Sequence, residues 1–185
     1  SVHMACYVRS QASLRLMLNK DPITGLSGRQ RMVDFMQREI ARSERSGGRF
    51  SYLLIDLNEF HNAGDHSTKL QRDEVLAALS QRLDGYARDA DFTSPLGEDL
   101  FGVVLHHTPT QEHLRGAVAR LRGLLAQPLV VRNAPVQLDV SLGMAMWPTD
   151  GHTLEALENI ATQRMQAEKF SMFKPYVQSE GLRTG

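Results

Sequence analysis

The pattern of apolar and polar residues along the chain predicts an alternation of helices and strands. From Ser27 to about Ser46, apolar residues recur every three or four positions, which is typical of a helix with one buried face. These apolar positions are Met32, Phe35, Met36 and Ile40. Ser27 is a favourable N-cap and Gly47-Gly48 is a favourable end, so a helix is predicted between them. Its charged residues are expected to face water: Arg38, Glu39, Arg42, Glu44 and Arg45.

The segment from Phe50 to Leu57 is almost continuously apolar, as in a strand that is covered on both faces. A short helix from Ala12 to Lys20 is predicted upstream. Downstream we predict a helix from Leu70 to Ala87, followed by a hairpin with strands from Asp91 to Leu96 and from Leu100 to Leu105 around a turn at residues 97–99. A helix capped by Thr110 comes next. Two further strands, from Pro128 to Arg132 and from Val136 to Met146, are joined by Asn133-Ala134-Pro135 and precede a last helix from about Thr153 to Phe170. Strands interleaved with helices indicate an α/β sandwich with one central mixed sheet.

Composition narrows the function classes. The chain has 185 residues, of which 42% are hydrophobic and 23% are charged, so one domain with a substantial core is expected. The 21 Lys and Arg residues balance the 21 Asp and Glu residues, which argues against a broad nucleic-acid-binding surface. The single cysteine, Cys6, excludes an internal disulfide and a cysteine-rich zinc site. No segment is apolar enough to span a bilayer, and we expect a cytoplasmic domain without membrane insertion.

Two acidic residues are candidates for chemistry. Asp56 lies at the end of the first strand, and Asp99 lies in the predicted hairpin turn. A sheet can bring a strand end beside a hairpin tip, and two carboxylates there could hold Mg²⁺ and, through it, phosphate oxygens. From spacing alone, the simpler alternative is that both are solvated acids at strand ends. His106-His107 has no third ligand at metal spacing, so a zinc site is not predicted there.

Four segments resemble, in order, the motifs of GGDEF domains, the diguanylate cyclase family. They are DPITGLSGR at residues 21–29, LIDLNEF at 54–60, GEDLF at 97–101 and SLGMAMWPTDG at 141–151. The corresponding family patterns are DxLTGLxNR, LLDxDxFK, GGDEF and SIGVA…PxDG. The resemblance covers about residues 21–170 and implies a nucleotide-cyclase-like α/β fold, with a mostly antiparallel mixed sheet of about five strands flanked by helices. It also implies an activity in which two GTP molecules condense into cyclic di-GMP, with Mg²⁺ held by two carboxylates.

The resemblance assigns roles to four charged residues that this sequence retains. Asp56 matches the first metal ligand, and Asp99 matches the acidic third position of the signature. Asp73 matches an acid that reads guanine, and Lys169 matches a lysine that contacts the triphosphate.

Other positions depart from the family pattern. The remnant of the signature consists of Gly97, Glu98, Asp99, Leu100 and Phe101. Here Glu98 replaces a glycine that lies close to the nucleotide in the family, and Leu100 replaces a glutamate. Gly64 replaces a guanine-reading asparagine, Arg72 replaces the glycine before Asp73, and Met172 and Phe173 replace a phosphate-binding glycine–arginine pair. Because metal, base and phosphate contacts are lost together, we predict a degenerate domain without catalysis. No cofactor is expected, and Mg²⁺ is expected only if GTP binds.

The residues Arg88-Asp89-Ala90-Asp91 form an R-x-x-D pattern that ends six positions before Gly97. In the family this offset belongs to a product-inhibition site, where an arginine grips cyclic di-GMP. Arginine suits such a site because its planar fork can hold a phosphate while it stacks on a base. The alternative for Arg88 and Asp91 is an ordinary surface pair at a helix end.

We therefore predict a regulatory or interaction module of a bacterial cyclic di-GMP signalling protein. The alternatives are a cyclic di-GMP sensor that uses Arg88 and Asp91, and a GTP-binding regulator or weak diguanylate cyclase that uses the retained acids. Expected partners are signalling proteins or other domains of the same protein, such as a sensor domain upstream and an EAL domain downstream, with the chain as a monomer or homodimer. Residues 1–4 resemble a cloning remnant, 5–20 a linker or signalling helix, 21–174 the degenerate domain, and 175–185 a polar tail that is expected to fray.

Overall fold

The computed structural model describes residues 26–62, 69–87 and 91–180; residues 59–62, 69–71 and 172–180 are described by their backbone alone. Within these ranges the chain forms four helices and five strands. The helices are α1 (Gly28–Ser46), α2 (Lys69–Tyr86), α3 (Gln111–Ala126) and α4 (Leu154–Glu180). The strands are β1 (Phe50–Asn62), β2 (Phe92–Pro95), β3 (Leu100–Leu105), β4 (Leu129–Val131) and β5 (Ala134–Trp147). None of the described helices is both long and apolar enough to cross a membrane.

The strands form one sheet in the order β2-β3-β1-β5-β4, and each of these neighbouring pairs is antiparallel. The central strand, β1, pairs with β3 on one side and with β5 on the other. This arrangement confirms the predicted class, an α/β fold around one sheet of five strands. The prediction that the sheet is mixed is wrong for the described strands, because every neighbouring pair among them is antiparallel. The arrangement also explains the apolar run that begins at Phe50, because a central strand is covered on both faces.

Alternate residues of β1 point into two separate hydrophobic clusters. Leu53, Ile55 and Leu57 pack with residues of α2 and α3, on what we call the α2/α3 face. Tyr52 and Leu54 pack with residues of α1 and α4, on what we call the α1/α4 face. Because side chains alternate along a strand, the polar residue Asp56 falls on the same face as Leu54.

Helix α1 begins and ends as its sequence predicts. The Ser27 hydroxyl accepts from the Gln30 N–H at 3.2 Å, and Gln30 Oε1 accepts from the Ser27 N–H at 2.9 Å. Gly47 ends the helix with φ of 70°, which is the left-handed region where glycine is favoured.

The expectation that every charged residue of α1 faces water is wrong for Glu39. Only 5% of this residue is exposed, because its carboxylate turns toward the end of β3. There Oε1 lies 2.8 Å from Nδ1 of His106, and it is also paired with Arg42, which is half-buried. A buried carboxylate is tolerated where such partners compensate for its lost hydration.

Several boundaries differ from the predicted ones. Strand β1 continues to Asn62, past its predicted end at Leu57, because β5 pairs with it along its whole length. Strands β4 and β5 are joined by a two-residue turn at Arg132 and Asn133, not by Asn133-Ala134-Pro135. Both turn residues have positive φ, 53° and 62°, as tight antiparallel hairpins require.

The last helix also ends later than predicted. Helix α4 runs to Glu180, so the polar tail predicted over 175–185 is helical through residue 180. The predicted helix from Ala12 to Lys20, together with the predicted remnant and linker over residues 1–20, lies outside the described residues.

Gly143 in β5 allows α4 to lie directly on the sheet. A Cβ at this position would overlap the carbonyl oxygen of Ala161 and the backbone nitrogen of Met165. Glycine is required here by the close approach of two backbones, and this contact sets the height of α4 above the strands.

Candidate functional site

The central strand and the hairpin turn meet at Asp56. In the pairing of β1 with β3, Asp56 lies opposite Leu100. The N–H of Leu57 donates to the carbonyl of Asp99 at 2.8 Å, so the turn before β3 is bonded to β1. Asp56 therefore lies beside the hairpin turn as predicted, but it lies within β1 and not at the end of that strand.

Helix α4 places a cation over Asp56. Nζ of Lys169 lies 3.3 Å from Oδ2 of Asp56. The spacing follows from the contact at Gly143, which pairs with Leu54 of β1 and lies beneath Met165 of α4. Four helical residues beyond Met165 rise about 6 Å, and two strand residues beyond Leu54 advance about 6.6 Å. The helix and the strand therefore bring Lys169 and Asp56 to the same height.

A second cation reaches the hairpin turn from the opposite face of the sheet. The carboxylate of Asp99 accepts a hydrogen bond from the guanidinium of Arg72, in the first turn of α2. About a third of each side chain is exposed, 34% for Arg72 and 36% for Asp99. The next residue, Asp73, is buried, with 5% of its surface exposed. Asp56 and Asp99 thus each face a basic side chain of this same chain.

The two altered signature positions differ in their surroundings. Glu98, at the tip of the turn, is exposed to solvent. Leu100 is half-buried and packs against the hydrophobic cluster of the α1/α4 face. Phe101 packs into the cluster of the other face and is 4% exposed. Leu100, which stands beside Asp56, therefore presents hydrocarbon at the position where the resemblance implies a glutamate.

A polar contact near Asp56 was missed from the sequence. Nδ2 of Asn58 donates to Oγ of Ser141 at 2.8 Å, and Ser141 is paired with Asp56 across β1 and β5. The β1–β5 register shifts between Leu57 and Glu59, an irregularity of the kind that often lies beside functional sites. The only available signal was the motif itself, because Asn58 stands where the family pattern LLDxDxFK has its second aspartate.

The candidate cyclic di-GMP residues are described only in part. Oδ1 of Asp91 accepts from the backbone N–H of His106 at 2.9 Å, so this carboxylate supports the end of β3. Arg88 and Gly64 lie outside the described residues, and Met172 and Phe173 are described by backbone alone.

The described side chains do not fit the Mg²⁺ site that the resemblance implies. Mg²⁺ binds oxygen ligands in near-octahedral geometry. Among the described residues, no group of three or more His, Cys, Asp and Glu side chains lies close enough to hold a metal ion. The two acids that match the family ligands are ion-paired with Lys169 and Arg72, and Leu100 supplies no oxygen.

Comparison with known proteins places this geometry in a family. The family described as "Diguanylate cyclase, GGDEF domain" matches residues 18–174. The chain is 31% identical over 149 residues to an uncharacterized signaling protein of Caulobacter vibrioides, an alignment that covers 80% of this chain and 18% of the relative. It is 31% identical over 125 residues to the diguanylate cyclase DgcP of Pseudomonas aeruginosa, covering 67% of this chain and 18% of DgcP.

Solved structures agree with these relatives. A crystal structure of a sensory box/GGDEF family protein from Caulobacter crescentus superposes with a TM-score of 0.71 at 30% identity, covering 83% of this chain and 99% of that chain. The chain spans less than a fifth of the length of the two curated relatives, for which the covered share is 18% each. The sequence motifs, the sheet topology and the family match lead to one conclusion: the chain belongs to the GGDEF domain family.

Proposed function

We propose that this GGDEF domain does not synthesise cyclic di-GMP and acts as a regulatory or interaction module. The observation that carries the proposal is the environment of Leu100. This residue lies opposite Asp56 in the β1–β3 pairing, and its side chain packs against the α1/α4 cluster. A hydrocarbon side chain neither coordinates a metal ion nor accepts a proton. Loss of a general base typically lowers a rate by about 10²- to 10⁴-fold.

Glu98 supports the same conclusion through charge. It lies at the exposed tip of the hairpin, next to Asp99. A triphosphate carries several negative charges, and an added carboxylate at the tip repels it. The family pattern has glycine at this position, which offers neither charge nor bulk.

The fold itself is intact, and this favours a binding role over a loss of all function. Both faces of the sheet are covered, and the residues of the two clusters are buried. The chain spans a small part of its curated relatives, so we propose that its partners include other domains of one longer signalling protein.

A product assay tests the proposal. The 185-residue chain is incubated with GTP and Mg²⁺, and cyclic di-GMP is quantified by chromatography, with DgcP as the active reference and Asp56→Ala as the matched variant. We expect no cyclic di-GMP above the enzyme-free background from either form of this chain. Steady production by the wild type that disappears in Asp56→Ala would overturn the proposal in favour of a weak cyclase.

Two ligand-binding alternatives are separated by calorimetry without turnover. A cyclic di-GMP sensor predicts heat on titration with cyclic di-GMP that is lost in Arg88→Ala. Arg88 is preferred over Asp91 for this variant because Asp91 also supports the His106 backbone. A GTP-binding regulator predicts saturable GTP binding that is lost in Asp56→Ala. Absence of both signals at millimolar ligand leaves the interaction module.

A further inference from the structure

We propose that Arg72, together with Lys169, serves as an internal counter-ion that takes the place of the divalent cation at the carboxylates of Asp99 and Asp56. This assignment rests on the proposed function, because a domain that does not use Mg²⁺ for catalysis can neutralise these acids from within. It concerns this chain's own residue, since the family pattern has glycine where Arg72 stands.

The Asp99 carboxylate is presented to Arg72 by a fixed backbone. The carbonyl of Asp99 accepts from the N–H of Leu57, and the carbonyl of Leu100 accepts from the N–H of Leu96 at 2.7 Å. These bonds fix the hairpin turn against β1. The direction in which the Asp99 side chain leaves the turn is therefore set before any ligand arrives.

Arg72 is held equally firmly on the other side. The residues that follow it in α2, Val75, Leu76 and Leu79, are buried in the cluster of the α2/α3 face, with exposures of 0%, 7% and 0%. The turns that directly follow Arg72 are therefore anchored in the core, and from the start of this helix the guanidinium donates to the Asp99 carboxylate. A planar guanidinium suits a carboxylate because it combines charge with directed N–H donors.

Each of the two ion pairs neutralises one of the two carboxylates, Asp99 and Asp56. Arg72 pairs with Asp99 from the α2/α3 face, and Lys169 pairs with Asp56 from the α1/α4 face. A divalent cation that bound both acids would have to displace two cationic groups and then remain close to them. The positive charges of the metal ion and of the two basic side chains would repel each other, and this repulsion grows as the site loses water.

A second arginine provides a matched control. Arg132 donates two hydrogen bonds to Glu74, which lies on α2 as Arg72 does. They run from Nε to Oε2 and from Nη2 to Oε1, both at 2.9 Å. Arg132 lies in the turn between β4 and β5, at the far edge of the sheet from the hairpin. Its removal takes away an arginine–carboxylate pair on α2 without touching Asp56 or Asp99.

The test measures Mn²⁺ binding to the nucleotide-free chain by electron paramagnetic resonance. Mn²⁺ prefers oxygen ligands, as Mg²⁺ does, and it is directly visible. The forms compared are the wild type, Arg72→Ala, Arg72→Gln and Arg132→Ala, and folding of each is checked by circular dichroism. We expect Arg72→Ala and Arg72→Gln to raise Mn²⁺ affinity at least tenfold over the wild type, and Arg132→Ala to match the wild type. The gain is expected to disappear when Asp99→Asn is added to Arg72→Ala.

Equal Mn²⁺ affinity in the wild type and in folded Arg72→Gln would overturn the assignment. A gain of the same size in Arg132→Ala, or one that survives Asp99→Asn, would also overturn it. These outcomes are independent of turnover, because no nucleotide is present. Cyclic di-GMP formation by the wild type would overturn the proposed function by a separate readout.

Discussion

The side-chain nitrogen of Lys169 lies 3.3 Å from Oδ2 of Asp56, and this contact joins α4 to the central strand. The pair is partly exposed, with 43% of the Lys169 side chain and 21% of the Asp56 side chain accessible. Exposed ion pairs contribute little because water screens them. We therefore expect Lys169→Met to lower the free energy of unfolding in urea by about 1 kcal/mol or less. A loss several times larger would show that the pair is a structural element and not a replaceable neutralising contact.

Gly143 determines whether Lys169 can reach Asp56. A Cβ at residue 143 would overlap backbone atoms of α4, which cannot rotate away as a side chain can. Gly143→Ala is therefore expected to lower the free energy of unfolding by about 1 to 3 kcal/mol, the range of an overpacked core. Urea denaturation checks this prediction.

The matched control for Gly143→Ala is a glycine with open space around it. A Cβ on Gly123, on the exposed side of α3, would meet no atom within 4 Å. Alanine is the better helix former, so Gly123→Ala is expected to stabilise the chain by about 0.5 to 1 kcal/mol. Similar effects of the two substitutions would contradict the close approach of α4 at Gly143.

The turn before α4 predicts a dependence of stability on pH. Both carboxylate oxygens of Asp150 accept from Arg164 at 2.9 Å, and Oδ2 also accepts from the N–H of Met146 at 2.8 Å. The hydrogen bonds from Arg164 lower the pKa of Asp150 in the folded chain, with a further contribution from Met146. A carboxyl with a lowered folded pKa stabilises the fold fully above its unfolded pKa, about 3.9. This stabilisation is lost as pH falls through the folded pKa.

Asp150→Asn tests that dependence. At pH 7 the free energy of unfolding of the variant is expected to be about 1 kcal/mol lower than that of the wild type, because a charge-assisted pair is lost. The difference should shrink as pH falls below about 4, where the unfolded carboxyl becomes protonated, and it should be lost as pH falls through the lower pKa of the folded carboxyl. Asp34→Asn, on the exposed side of α1, is the control and should show no such trend. A difference that stays constant from pH 7 to pH 3 would exclude the ionised Asp150 as its source.

Glu39 is a buried acid, and its removal is expected to lower the free energy of unfolding. Its side chain is 6% exposed and is bound by His106 and Arg42. Glu39→Ala is expected to cost about 1 to 3 kcal/mol, because the two partners lose their acceptor in a partly buried place. Glu44→Ala, exposed on the same helix, should stay within about 0.5 kcal/mol of the wild type. Equal unfolding free energies for the two variants would show that the contact between α1 and the end of β3 contributes nothing.

Local sequence patterns predicted most of the helices and strands. They did not predict features that depend on contacts with distant segments of the chain. Ser27 and Gly47 mark the ends of α1 because capping depends on the backbone within one turn. The extension of β1 to Asn62 depends on pairing with Val136 of β5, and no local pattern records that partner. Likewise, the spacing of charges on α1 does not show that Glu39 lies opposite His106.

The sequence likewise predicted which residues lie near the candidate site, but not how their side chains pack and pair. The meeting of Asp56 with the hairpin follows from motifs that lie next to each other in the sheet. The loss of the glutamate at Leu100 is visible in the sequence, but its packing against the α1/α4 cluster is a property of the fold. The pairing of Arg72 with Asp99 joins residues 27 positions apart. It depends on how α2 packs, so the sequence showed only that a glycine was missing.

The most direct test of the account is a crystal structure of the chain grown with a non-hydrolysable GTP analogue and Mg²⁺. We predict that Asp99 remains bound to Arg72 and Asp56 to Lys169, with no metal ion between the two carboxylates. A Mg²⁺ ion that bridges Asp56, Asp99 and the phosphates of an ordered nucleotide would contradict it.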